Sequence, residues 1–204
     1  MGILKKNVET IKPWLKEPWQ TWTFSEVKTV TKKRSKSYLH ATLKKFVKEG
    51  ILKESSKGNQ VHYSANLTSE KTFTIFGSIA EYFGWHTKLP YTQIDTLIQR
   101  IPTTFFIVII TGSYAQQKQT QQSDLDVVII CEEPKKVYAE LKYFCEMSTP
   151  PIHLYAFTKS EFLAMLSDEK PNYGKEIVRN SIVLEGGVFY YRIIAEAIRH
   201  GFPR

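Results

Sequence analysis

Cysteine is scarce. Cys131 and Cys145 are the two in 204 residues, too few for a disulfide scaffold and without metal-ligand spacing. Each reads as a small, partly buried hydrophobe in a reducing compartment. Long apolar runs are missing as well: none reaches the roughly 18 residues that a membrane-crossing helix needs. The first ten residues, MGILKKNVET, lack the apolar core of a signal peptide. These absences argue against a disulfide-rich secreted protein and a membrane protein, so a soluble cytoplasmic chain with no membrane partner is expected. At 42% hydrophobic residues, the chain can bury one good core, or one medium and one small.

Acidic residues are sparse in the first third. Residues 1–70 hold 14 Lys and Arg against 6 Asp and Glu, whereas residues 71–204 hold 14 of each. The whole net charge of +8 therefore sits in the first third. Such asymmetry suggests a polyanion-binding module joined to a neutral one.

Within that third, Thr23 with Glu26 three residues later marks the start of a short helix. The polar segment TKKRSKS is a turn. In SYLHATLKKFVKEG, Leu39, Leu43, Phe46 and Val47 form one helical stripe, and Gly50 ends it. Lys36, His40, Lys44 and Lys48 line the opposite face. ILKESS and QVHYSA flank Lys57-Gly58-Asn59 as the strands of a hairpin. Ahead of this module, Ile11, Trp14, Leu15, Trp19 and Trp22 crowd a segment broken by Pro13 and Pro18. They suit core or dimer-interface packing better than a stacking platform, which leaves a homodimer open.

Helix, turn, helix, hairpin is the order of a winged helix-turn-helix, and LKKFVKEGILKESSKGNQVHYSAN resembles that family. The resemblance implies that the helix Ser35–Glu49 enters the major groove of double-stranded DNA. Arg34, Lys36, Ser37, Tyr38, His40 and Lys44 would then face base edges or phosphates. Lys53, Lys57 and His62 would lie on the wing beside the backbone.

In the neutral two-thirds, TFTIFGSIAEYF and YTQIDTLIQRIP each carry apolar residues at helical spacing. The expected division is residues 1–70, a linker helix over 71–90, and a second domain over 91–204. FFIVIIT is a β-branched apolar run of strand length, the mark of a strand covered on both faces. Gly112 follows at once and lets the backbone turn sharply. Ser113 adds a hydroxyl and an amide, and Asp124-x-Asp126 opens the next strand, DVVII. Residues two apart in a strand share a face, so the two carboxylates project together. Such a pair beside a tight turn suits Mg²⁺ and a nucleoside triphosphate.

GSYAQQKQTQQSDLDVVII is similar to the signature of the minimal nucleotidyltransferases of the polymerase-beta superfamily. That signature is Gly-Ser, a spacer, then Asp-x-Asp on a strand. The resemblance runs from about Tyr91 to about Gly187, and it implies the fold class. The chain would be α+β with two domains: an N-terminal winged helix-turn-helix, then a nucleotidyltransferase fold with a mixed sheet flanked by helices. It further implies that Gly112 and Ser113, with Ser123, bind the triphosphate tail. Asp124 and Asp126 would hold the metals and act in catalysis. Tyr114 would pack either on a base or sugar, or in the core.

One element of the pattern is missing. These enzymes generally carry a third carboxylate on a neighbouring strand, but the strand PIHLYAF has no Asp or Glu. His153, near the expected position, is either a general base or a polar residue at the strand's rim. Glu132 and Glu133 would lie past the site, with Glu146 an outside candidate. Lys175 and Arg179 face either the triphosphate or solvent. Two functions follow. The first is transfer of a nucleoside monophosphate to a hydroxyl of a protein or small molecule. The alternative is a DNA-binding regulator, or antitoxin-like protein, whose degenerate second domain binds nucleotide or mediates dimerisation.

Overall fold

The computed structural model describes residues 4–32 and 35–203. It divides into two compact units at Ile79/Ala80.

The first unit begins with α1 (Leu4–Lys16), β1 (Trp22–Thr23), α2 (Phe24–Thr31) and α3 (Lys36–Lys48). It continues through the hairpin β2 (Leu52–Lys57) and β3 (Gln60–Ala65) to α4 (Glu70–Gly84), which spans the division. The start of α2 follows from its sequence. The Thr23 hydroxyl accepts the Glu26 amide, and the Glu26 carboxylate returns to the Thr23 amide at 2.7 Å. Such a reciprocal cap contributes about 1 kcal/mol. Ser35 caps α3 by accepting the Tyr38 amide. The α3 stripe holds: Leu39, Leu43 and Phe46 are buried with Ile11, Trp14 and Val27, each worth about 1.5–3 kcal/mol. Val47 sits at the margin of that stripe, only partly buried. The three strands pair antiparallel in the order β1-β3-β2, and Gly58 turns the hairpin at φ +57°.

The second unit holds α5 (Tyr91–Arg100), β4 (Phe106–Ile110), α6 (Gly112–Ala115), β5 (Leu125–Cys131) and α7 (Pro134–Met147). Then come β6 (Ile152–Phe157), α8 (Lys159–Ser167), α9 (Tyr173–Arg179), β7 (Ile182–Glu185) and α10 (Gly187–Arg199). The sheet is mixed, in the order β6-β5-β4-β7: β5 and β6 run parallel, and the other pairs antiparallel. Alternation divides its residues between two layers. Val108, Ile110, Leu125, Val127 and Ile129 join Leu97, Val137 and Leu141 under α5 and α7. Ile107, Ile109, Val128 and Ile130 are equally buried on the opposite face, where α8 and α10 pack. This is why Ile107–Ile110 is apolar at every position rather than at alternate ones. Among the described residues, no helix is long and apolar enough to cross a membrane.

Candidate active site

β4 and β5 are antiparallel with Ile110 opposite Val127, so the exit of β4 lies beside the entry of β5. The Thr111 amide extends the ladder by donating to the Asp126 carbonyl at 3.0 Å. Gly112 then turns the chain at φ +65° into the single turn of α6. A Cβ on Gly112 would stand 2.0 Å from Asp126 Oδ2. Backbone and carboxylate are thus in direct contact, and no other residue type fits there. Ser113 follows, partly exposed, its carbonyl accepting the Lys118 amide at 2.9 Å.

Asp126 lies in β5 and is part-buried, while Asp124 is exposed and immediately precedes the strand. Burial is the main force pushing the Asp126 carboxyl above the usual aspartate range. His153 opposes that shift, while the negative charges of Asp124 and Glu176 add to it. His153 is the register partner of Asp126 across the parallel β5–β6 pair, its Nδ1 3.7 Å from Asp126 Oδ1. The position expected for a third acid is therefore filled by an imidazole. Beyond it runs a chain of rings. The His153 and Tyr155 centroids are 5.6 Å apart, and those of Tyr155 and Tyr173 are 4.7 Å apart.

The remaining sequence candidates find other places. Tyr114 is part-buried and packs against the core under α5 and α7. Ser123 orders the glutamine loop, its hydroxyl accepting the Thr120 amide at 2.9 Å. Glu132 and Glu133 follow at the far end of β5, and Glu133 pairs with Lys136. Glu146 pairs with Lys142 at 3.9 Å on α7. Lys175 is buried and donates to the Asp168 carbonyl at the end of α8, so it is committed away from the site; Arg179 is exposed.

Two groups that the sequence did not single out, Glu176 and Tyr173, act electrostatically with Asp126 from α9. Nothing in the local sequence signals them, because α9 reaches the site only through the packing of α8 and α9. Among the described residues, no three His, Cys, Asp or Glu side chains gather into a metal cluster. Two neighbouring carboxylates, Asp124 and Asp126, still fit Mg²⁺. That ion is commonly held by one or two carboxylates together with a substrate's phosphates, and not by an all-protein cage.

In the basic unit, Lys36, Ser37, His40, Lys48, Lys53 and Lys57 are exposed, and His62 is partly so. Arg34 lies outside the described residues. Two of the candidates are committed elsewhere. The Tyr38 hydroxyl donates to Asn7 Oδ1 at 2.6 Å, and Lys44 Nζ bonds both carboxylate oxygens of Glu54 at 2.8 Å. These contacts hold α3 against α1 and β2. The sequence could not reveal them, because the partners come from other elements.

No curated protein and no solved structure matches the chain. Residues 106–179, which hold the Gly112–Asp126 contact, His153 and α9, match the family model of the nucleotidyltransferase domain. Part of the second unit is thus similar to a nucleotidyltransferase domain.

Proposed function

We propose that the second unit binds a nucleoside triphosphate with Mg²⁺ and transfers the nucleoside monophosphate to a hydroxyl of a protein or small molecule. The observation that carries this reading is the contact of Gly112 with the Asp126 carboxylate, beside Ser113 and with the charge of Asp124 close enough to act on Asp126. Ser113 and the amides around Gly112 would hold phosphate oxygens. Asp124 and Asp126 would hold Mg²⁺, which neutralises charge on the phosphates when bound. His153 stands beside Asp126 to take the proton of the acceptor hydroxyl. The acceptor oxygen then bonds to the α-phosphorus, the bond from that phosphorus to the bridging oxygen of the β-phosphate breaks, and pyrophosphate leaves.

We further propose that residues 1–70 are a winged helix-turn-helix that binds duplex DNA, with 71–90 linking it to a catalytic domain over 91–204. Support comes from α2, α3 and the β2–β3 hairpin in order, and from lysines exposed on α3 and the hairpin. Two buried free cysteines suit a cytoplasmic location. The imidazole at the third position favours one second reading, a DNA-binding regulator whose second unit binds nucleotide without turnover.

Thermal melting with Mg²⁺ and each of four NTPs tests the site. At least one should raise the melting temperature, and Asp124→Ala with Asp126→Ala should abolish the rise. No rise with any NTP would end the nucleotide reading. Incubation with α-labelled NTPs and a cell lysate then separates the two functions. Label transfer that the double variant loses means an enzyme, and a thermal rise without transfer means a binding domain.

A further inference from the structure

The four-stranded sheet ends in two edges of different character. β7 is four residues long, shifts register against β4 between Val108 and Ile109, and ends in Glu185. The Leu184 carbonyl accepts a hydrogen bond from Trp85 Nε1 at 2.9 Å. Gly84 approaches so closely that a Cβ there would stand 2.4 Å from the Val183 carbonyl oxygen. Shortness, a bulge, a charge and a cover are the means by which an edge is kept from pairing. Within Ile152–Phe157, β6 has none of them. It runs six residues in unbroken register with β5, and it contains no lysine, proline or carboxylate. Outside that ladder, its main-chain N–H and C=O groups form no hydrogen bond with any described residue.

We propose that β6 is the docking edge for an extended polypeptide, which adds as a fifth strand and presents a hydroxyl-bearing side chain on the Asp126 face. The proposal rests on the transferase reading above and names the acceptor class of the same site. Unpaired main-chain donors and acceptors at strand spacing are matched by another main chain, not by a small molecule. A second copy of this chain fits less well. Two six-residue edges bury on the order of a few hundred Å², short of the roughly 1,000 Å² of a lasting protein interface. Such an edge suits a ligand that binds and leaves.

The side chains agree with this assignment. His153 and Tyr155, two apart on β6, share the face of Asp126. The His153 side chain is 66% exposed although it stands 3.7 Å from Asp126. A residue opposite His153 on an added strand would lie about 4.8 Å beyond it, and about 10 Å from Asp126 across two strand spacings. That interval has room for an acceptor side chain and the phosphate it attacks. His153 lies between them, placed to take the hydroxyl proton as the oxygen bonds to the α-phosphorus and pyrophosphate departs. Tyr155 offers a ring to the neighbouring side chain on the same face.

The test uses the full chain with Mg²⁺ and ATP. Its probes are lysine-flanked hexapeptides of alternating Thr and Val around a central Ser, Thr or Tyr. At least one should slow hydrogen exchange of amides in Ile152–Phe157 by roughly tenfold or more, and should take up α-label. N-methylation of alternate peptide amides should remove both effects. Protection of β6 that rises with protein concentration without peptide would place a second copy on the edge and overturn the proposal. Unchanged β6 exchange with every peptide would overturn it too. The rise in melting temperature with Mg²⁺ and each of the four NTPs, read alongside, keeps the two ideas apart. No rise with any of the four refutes the nucleotide site itself, whereas an intact rise with unchanged β6 exchange refutes strand addition alone.

Discussion

Replacing Gly112 by alanine separates backbone strain from damage to the site. At φ +65° an alanine bears the left-handed penalty of about 1–2 kcal/mol. Stiffening of the unfolded chain offsets about 0.4–1 kcal/mol of that. The new Cβ would also stand 2.0 Å from Asp126 Oδ2, where about 3.0 Å is the closest real approach, so the carboxylate must retreat by about 1 Å. Leaving its rotamer adds about 0.5–1.5 kcal/mol. Gly58→Ala is the matched control: φ is +57° and nothing lies within 4 Å of its Cβ. That variant should lose up to about 1.6 kcal/mol, and Gly112→Ala about 0.5–3 kcal/mol, in a fold whose total stability is about 5–15 kcal/mol. Both should remain folded by circular dichroism. The turn at Gly112 and the Asp126 carboxylate are the two parts of the proposed phosphate and metal site. Gly112→Ala should therefore weaken or abolish the Mg²⁺-NTP melting rise that Gly58→Ala keeps. A Gly112→Ala protein with the full rise would refute the claim that this contact builds the nucleotide site.

Three further outcomes are expected. Glu81 accepts the Gly187 amide at 2.6 Å, and burial, with Glu185 adding to it, raises its carboxyl above the usual range. The folded state therefore holds the proton more tightly than the unfolded one. Stability falls as pH rises from the unfolded pKa through the raised one, and Glu81→Gln should flatten that segment in denaturant titrations across pH. The Cys145 thiol is pushed up to about 11 by burial, and Cys131 is raised for the same reason. Iodoacetamide at pH 8 should accordingly modify neither in the native protein and both in denaturant. For duplex DNA, Lys36→Ala with Lys57→Ala should weaken binding and reduce the slope of log K against log salt by about 2. Lys44→Ala should leave the slope unchanged, since Lys44 is held by Glu54.

Some of this molecule is legible in its residue order because the governing physics is local. The Thr23–Glu26 cap, the Leu39–Phe46 stripe and the Gly58 turn each depend on residues within about two turns of one another. The same holds for the apolar run Ile107–Ile110, whose composition alone requires cover on both faces. Tyr114 packs partly against the core because α5 and α7 lie over it, a position that no local pattern gives. Lys44, Tyr38 and Lys175 find partners in Glu54, Asn7 and the Asp168 carbonyl, which other elements bring to them.

Residue order alone places Asp126 at the mouth of the apolar strand, with Asp124 just ahead of it. It also determined that a tight turn follows the apolar strand at Gly112. The fold adds that this turn lies against Asp126, that His153 is its register partner across β5 and β6, and that α9 brings the charge of Glu176 to bear on it. Periodicity fixes which side chains point together along one element. Which elements become neighbours is set by long-range pairing, whose loop-closure cost is met only when the whole core forms.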